Sequence, residues 1–289
     1  KGIEHFYIKD EDIVIFSDYT GEILNQRLLD DNSKLSAEEV GNPKSLKNEV
    51  LRYTEGTIEI ELDLLSWSHH LLDKFGISSM VVKNVYKIVD SCLLKIQRNQ
   101  FIWEKSLFKI IKKKDFLAEH SLMIAYVAST LSHRIHWKIP ESNLEKLTVA
   151  ALFHDSGLED SELAKIRDPI DVQSIHRSYP LDRKSIKKIY SHPYNAINLI
   201  HQSNLFIPDV ENIVCSHHET PQGTGFPRKL NANTLNTLSC IFILSENFVE
   251  DLYAQGSISN IKESFLKRIQ CDYNLGNFLA PMKEMQLLL

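Results

Sequence analysis

The sequence predicts a mainly α-helical protein, a helical bundle over residues 91–289 preceded by a smaller N-terminal module over residues 1–90 that is helical or mixed α/β. Three observations carry that prediction. Apolar residues recur at spacings of three and four through successive stretches from Ser78 to Gln255, which is the period of one face of a helix. The breaks between those stretches hold Gly, Pro and short polar clusters, the residues that stop helices. The first 90 residues have another texture, with short apolar runs such as DIVIF (12–16) and an alternating TIEIEL (57–62) between turn-like GNPKS and acidic DDNS.

Composition bounds the function. A chain of 289 residues, 43% hydrophobic and 25% charged, has the make-up of one large or two modest globular domains. With a net charge of -5 and a pI near 6.2, no global basic field invites a nucleic acid polymer or an anionic membrane. An anionic ligand has to be held locally. The four cysteines, Cys92, Cys215, Cys240 and Cys271, show no CxxC spacing and are expected to be buried free thiols in a reducing compartment. No apolar run approaches the roughly 18 residues of a membrane span, and the N-terminus lacks the order of a signal peptide. The expected location is cytoplasmic.

In the N-terminal module, Ser36 followed by Glu39 matches a capping box and predicts a helix near SAEEV. ELDLLSWSHHLLDKFG (61–76) spaces Leu and Trp helically and stops at Gly76. His69 and His70 are adjacent and so face different sides, one buried and one exposed. From SSMVVK the pattern stays helical to a basic, solvated KIIKKK end. In DFLAEHSLMIAYVASTLSHRI (115–135), His120, Ile124, Val127 and Leu131 share one face, which points His120 into the bundle. In SNLEKLTVAALFHDSG, Leu144, Leu147, Ala151 and His154 continue an inward stripe that Gly157 ends.

The stretch from Gly157 to Asp182 is polar and holds Pro169 and Pro180, so it reads as a loop with a short helix, a lid or binding segment beside a site. SIKKIYSHPYNAINLIHQS is a helix interrupted or begun at His192-Pro193, and the next helix ends in His217-His218 before a tight Pro- and Gly-rich loop. LNTLSCIFILSENFVEDLYAQG is a buried helix with one acid, Glu246, at its midpoint. A buried charge needs a partner. His133 and His136, three apart, could share one side but have no carboxylate or cysteine companion and read as structural or surface residues; His5, His176 and His201 are isolated. Trp103, Trp137 and the ending MQLLL read as core or partner-helix contacts, the ending also as a dimer contact.

One inward histidine is an ordinary core residue. Here His120, His154, Asp155, His192, His217, His218 and Glu246 come from five helical segments, which is how bundles build metal sites. Imidazoles with carboxylates suit iron, manganese, zinc or nickel, and two adjacent cations need a shared oxygen ligand, for which Asp155 is the natural candidate.

From about Asp115 to Tyr253 these residues resemble the HD-GYP group of the HD superfamily of metal-dependent phosphohydrolases. The resemblance runs through EHS (119–121), HD (154–155), HP (192–193), HHE (217–219), G-x-G-F-P (223–227) and Glu246. It implies an HD-type helical bundle with two divalent metal ions, iron foremost, that hydrolyses cyclic di-GMP. By the same resemblance one metal takes His120, His154, Asp155 and Glu246, the other takes Asp155, His192, His217 and His218, and Asp155 is both bridge and catalytic residue. Departures accompany the matches. Leu158 stands where the family has Lys, Gln222 and Phe226 where it has Asp and Tyr, Glu246 where it has Asp, and YAQGSIS (253–259) where it has a basic segment. Arg167, Arg177, Arg183 and Lys184 in the lid and Arg228 and Lys229 after the G-F-P loop are the candidate substitutes for phosphate binding, Arg183, Lys184 and Arg228 foremost. The implied partner is a cyclic dinucleotide. The alternative is a signalling protein that keeps the metals and binds a nucleotide or a protein partner with little turnover.

Overall fold

A computed structural model describes residues 57–72, 76, 78–98, 115–135, 140–158, 161–166, 182–202 and 209–289, with Glu22, Ile23, Gln26, Arg27, Leu29 and Asp30. DIVIF, the SAEEV cap, KIIKKK, His5, His136, His176, Trp103, Trp137, Glu159, Asp160, Arg167 and Arg177 lie outside the described residues. Residues 57–72 form helix α1. Then come α2 (Ser79–Arg98), α3 (Phe116–Arg134), α4 (Pro140–Phe153), α5 (Ser161–Ala164), α6 (Arg183–Gln202), α7 (Val210–Ser216), α8 (Thr237–Gln255), α9 (Ile258–Asp272), a 3-10 turn (Gly276–Phe278) and α10 (Leu279–Leu288). Among the described residues there is no strand, only an isolated bridge between Gln222 and Asn231. No described helix is long and apolar enough to cross a membrane.

The alternation in TIEIEL is helical in the structure. Ile58, Ile60 and Glu61 are all buried and Glu59 is exposed. Glu61 faces inward because Lys95 Nζ meets its Oε1 at 2.6 Å and Tyr126 OH donates to its Oε2 at 2.8 Å. That pairing is what makes a fully buried carboxylate tolerable. The boundary expected near residue 90 falls inside α2, whose Val85, Ile88, Val89, Cys92 and Ile96 join one core with residues of α1, α3, α4 and α8.

α3 is the central rod, buried continuously from Ala118 to Ser132 and packed against α4 and α8, with α2 and α10 on its flanks. Asp115 caps it by accepting from Ala118 N, and Ser66 of α1 donates to the same carboxylate. α8 is started by Asn236, which accepts from Ser239 N, and is ended by Gly256 at φ 76°. α7 packs on α4, α6 and α8, and Ile261, Phe265 and Ile269 set α9 against the same core. At the C-terminus Met282 and Met285 are buried, while Leu287 is exposed. Cys92, Cys215 and Cys240 are buried free thiols, and Cys271 is free but exposed.

α6 runs unbroken through Pro193, where the sequence predicts an interruption or a start. Proline lacks the N–H that would donate to the carbonyl four residues back. His192 Nδ1 approaches that carbonyl, Ile189 O, at 2.6 Å and supplies the missing donor.

Candidate metal centre

Three histidines of the cluster are held by one local device. His154 Nδ1 lies 2.9 Å from Ala151 O and His217 Nδ1 lies 2.6 Å from Val214 O. Each carbonyl is at the C-terminal end of a helix, where backbone acceptors lack a following turn of donors. His192 makes the equivalent bond at its proline. A carbonyl accepts only, so each Nδ1 carries the proton and each Nε2 presents a lone pair.

Those lone pairs converge on Asp155. Its Oδ2 lies 3.1 Å from His154 Nε2 and 4.0 Å from His120 Nε2, while its Oδ1 lies 3.5 Å from His192 Nε2 and 3.9 Å from His217 Nε2. Each carboxylate oxygen thus faces a different pair. His218 joins the Oδ1 group, and the ligand atoms of His120, His154 and Asp155 form one set, those of Asp155, His192, His217 and His218 another, within 4.8 Å in each. Glu246, at the middle of α8, places Oε1 3.9 Å from His154 Nε2. His120, His154, Asp155, His192, His217 and Glu246 are all buried, and His218 is half-buried.

The electrostatics suit cations. Burial pushes the His217 and His218 imidazoles well below their ordinary value, the neighbouring imidazoles adding to the effect, and burial lowers His192 too. Burial alone would raise the Asp155 carboxyl, but His154, His192 and His120 hold it well below the usual carboxylate range. His154 is the counterpart: burial disfavours its charge, and the adjacent Asp155 more than restores it. His192 Nε2 and His217 Nε2 stand only 2.9 Å apart. With both Nδ1 protonated and both rings driven neutral, two acceptors face each other there. A Lewis acid resolves that contact, and this donor set of buried imidazoles and carboxylates fits divalent cations.

The loop after His218 is anchored from beneath. Glu219 accepts from Arg228 N at 2.7 Å and from Leu230 N at 2.9 Å. Gly225 lies so close to the chain before it that a Cβ would sit 2.3 Å from His218 O, so only glycine fits. Phe226 then stacks on His218 with ring centroids 4.5 Å apart. The two departures at 158 and 226 meet in one place: Leu158, Leu163, Ala164, Ile189 and Phe226 form a separate apolar cluster. The Lys position is therefore a packed hydrophobic one.

A cavity of roughly 730 Å³ opens onto His217, His218 and Glu246, a volume in the range of small-molecule sites. Arg183, Lys184 and Arg228 are not among its described lining residues. Arg183 and Lys184 are exposed in the first turn of α6, about 13 Å along the helix from His192 by helical rise. The Arg228 guanidinium is bound to Ser216 Oγ at 2.5 Å and Asn212 Oδ1 at 3.5 Å. The cavity is lined instead by Lys229, Asn247, Arg268 and Tyr273, with Tyr190 and Phe226. Phe226 and Lys229 belong to or follow the G-x-G-F-P loop, but no motif marked Tyr190, Asn247, Arg268 or Tyr273; the last two belong to the chain after α8 and meet the site through the packing of α9 on α8.

Residues 105–262 match the HD domain family. Among solved structures the chain is similar to Bd1817, a HDG"Y"P protein from Bdellovibrio bacteriovorus, with a TM-score of 0.60 and 16% identity over 90% of this chain and 77% of that one. Among curated proteins no sequence match is found.

Proposed function

The chain belongs to the HD domain family of metal-dependent phosphohydrolases, and from that premise we propose that it is a phosphodiesterase hydrolysing a cyclic dinucleotide, cyclic di-GMP, at two divalent cations. The observation that supports this most directly is the division of Asp155, with Oδ2 toward His120 and His154 and Oδ1 toward His192 and His217. One carboxylate with two separately furnished oxygens is the arrangement a bridging ligand needs. His120, His154, Asp155 and Glu246 would hold one cation, and Asp155, His192, His217 and His218 the other. Iron is the foremost candidate, with manganese, zinc and nickel accepted by the same donors. When bound, such a pair supplies Lewis acidity and a water acidified toward neutrality. The chain's own part is to keep the imidazoles neutral and aimed, to keep the Asp155 carboxylate ionised as a proton acceptor, and to admit the diester through the cavity beside His217 and His218.

A specific observation favours a second reading. Leu158 and Phe226 are packed together in an apolar cluster, so the family's phosphate-side Lys and Tyr are replaced as a unit. That suits a signalling protein that keeps the cations and binds a nucleotide or protein partner, as a monomer or homodimer, with little turnover.

Two measurements separate the readings. Elemental analysis of anaerobically purified protein is expected to find about two first-row metals per chain; none sinks both. Incubation with cyclic di-GMP under iron or manganese, followed by chromatography, is expected to yield the linear product. Binding without product selects the signalling reading.

A further inference from the structure

We propose that Arg268 is the phosphate-binding cation of this cavity, delivered from α9 rather than from the positions the family uses. The inference rests on the phosphodiester reading above. A diester held beside cations needs protein donors for its remaining oxygens. In this chain the family's Lys position is the buried Leu158, and YAQGSIS occupies the place of the basic segment after Glu246. The charge has to come from elsewhere in the cavity wall.

Arg268 lies in that wall together with His217, His218, Glu246 and Asn247. It comes from beyond residue 262, where the family match ends. Its guanidinium is oriented in advance, with Nη2 2.6 Å from Asp251 Oδ2 and the group 5.3 Å from the Phe265 ring centre. Guanidinium carries five N–H donors in a rigid fork, and the bond to Asp251 is the only hydrogen bond it makes among the described residues. Its Nε is sealed from solvent, so the donors open to a ligand are the Nη hydrogens of a side chain that stays 33% exposed. An ordered fork with unused donors facing a cavity that holds metal ligands is suited to a phosphate oxygen, because little side-chain entropy remains to be lost on binding. Lys229 also lines the cavity, but it is exposed on the loop and lacks such a clamp.

The cavity wall also carries the acids Glu219, Glu246 and Asp272. Asp251 partly neutralises the guanidinium, and Asp272 lies one helical turn along on the same wall. The fork's geometry, more than its net charge, is what recognises the anion.

The test uses the full chain loaded with manganese and titrated calorimetrically with inorganic phosphate. Arg268→Gln is expected to weaken phosphate binding at least about tenfold, as loss of a charge-assisted hydrogen bond does, with metal content unchanged. Arg268→Lys is expected to restore part of it. Asp251→Asn removes the charge of the ion pair but keeps an Oδ1 acceptor that holds the guanidinium, so binding within about threefold of wild type is expected, whereas a merely structural ion pair would make it as damaging as Arg268→Gln. Wild-type protein that fails to bind phosphate, an Arg268→Gln protein that binds it within twofold of wild type, or an Asp251→Asn protein that loses as much as Arg268→Gln overturns the proposal. Hydrolysis of cyclic di-GMP is scored separately on wild type. Its absence, with phosphate binding still lost in Arg268→Gln, fails the phosphodiesterase reading and leaves Arg268 as the anion site.

Discussion

His192 Nδ1 occupies the carbonyl of Ile189, 2.6 Å away, that Pro193 leaves without its helical donor. The proline therefore acts on the candidate ligand beside it: it opens a backbone acceptor that selects the His192 tautomer and aims Nε2 at Asp155. Outer contacts of this kind typically tune metal affinity 10- to 100-fold.

Pro193→Ala returns an N–H that competes for Ile189 O. The helix gains, since proline in a helix interior costs about 3 kcal/mol, while the ligand loses its fixed orientation. Metal affinity is expected to fall roughly tenfold with the melting temperature unchanged or raised. Competitive chelator titration and thermal melts check both halves; a fall in stability with unaltered affinity contradicts the assignment.

How much of this was legible beforehand differs by residue. The helical period placed His120 and His154 inward and both are buried, although α3 is buried on every side from Ala118 to Ser132 rather than on one face. It misread α6, since a proline looks like a stop unless the neighbouring side chain's hydrogen bond is known. TIEIEL misled for a related reason: Glu61 counts as polar in any pattern, yet Lys95 and Tyr126 make its burial affordable. The cavity wall was hidden altogether. Arg268 and Tyr273 carry no motif, and Arg228, adjacent to one, is turned to Ser216. Nearness along the chain is a poor guide where long side chains choose among several acceptors.

The metal-free protein is expected to lose stability as pH falls below about 6.5. His192, His217 and His218 are held below the ordinary imidazole value of 6.5 by burial, so the unfolded chain binds more protons and stability rises with pH. His154 is raised, so its contribution is fully present at low pH, is lost as pH rises, and opposes theirs. Three groups against one leave a net loss of stability as pH falls between about 6.5 and 5.5. Asp155, held low, keeps its contribution through this window. Thermal melts with chelator are expected to drop as pH falls from about 6.5 to 5.5, and melts with saturating manganese to drop by less.

Restoring the family's residues one at a time is expected to give opposite results. Leu158 is 2% exposed among Leu163, Ile189 and Phe226, so Leu158→Lys forfeits its burial and places a charge in an apolar cluster. A loss of about 3 kcal/mol or more is expected, seen as a melting temperature lower by about 6 °C or more. Phe226→Tyr keeps the ring on His218 and directs a hydroxyl from a residue that already lines the cavity. It is expected to cost under about 1 kcal/mol and to raise turnover of cyclic di-GMP. Equal tolerance of both changes would mean that the cluster is not packed as described.

A buried polar group of three joins the N-terminal helices to the central rod, in addition to the Ser66–Asp115 bond. Glu61 of α1 holds Lys95 of α2 at 2.6 Å and Tyr126 of α3 at 2.8 Å, and all three are buried. Tyr126 is six residues along α3 from His120, so this contact and the metal site share a helix. Lys95→Met leaves the Glu61 charge buried without its counter-ion, and removal of one partner from such a pair typically costs about 3–5 kcal/mol. Glu61→Leu combined with Lys95→Met removes both charges and is expected to recover most of that loss, leaving chiefly the Tyr126 hydroxyl without its acceptor, about 1–3 kcal/mol. Denaturant melts of the single and double variants, read as a double-mutant cycle, check this directly. A double variant no more stable than Lys95→Met would show that the three groups contribute by packing rather than by charge compensation.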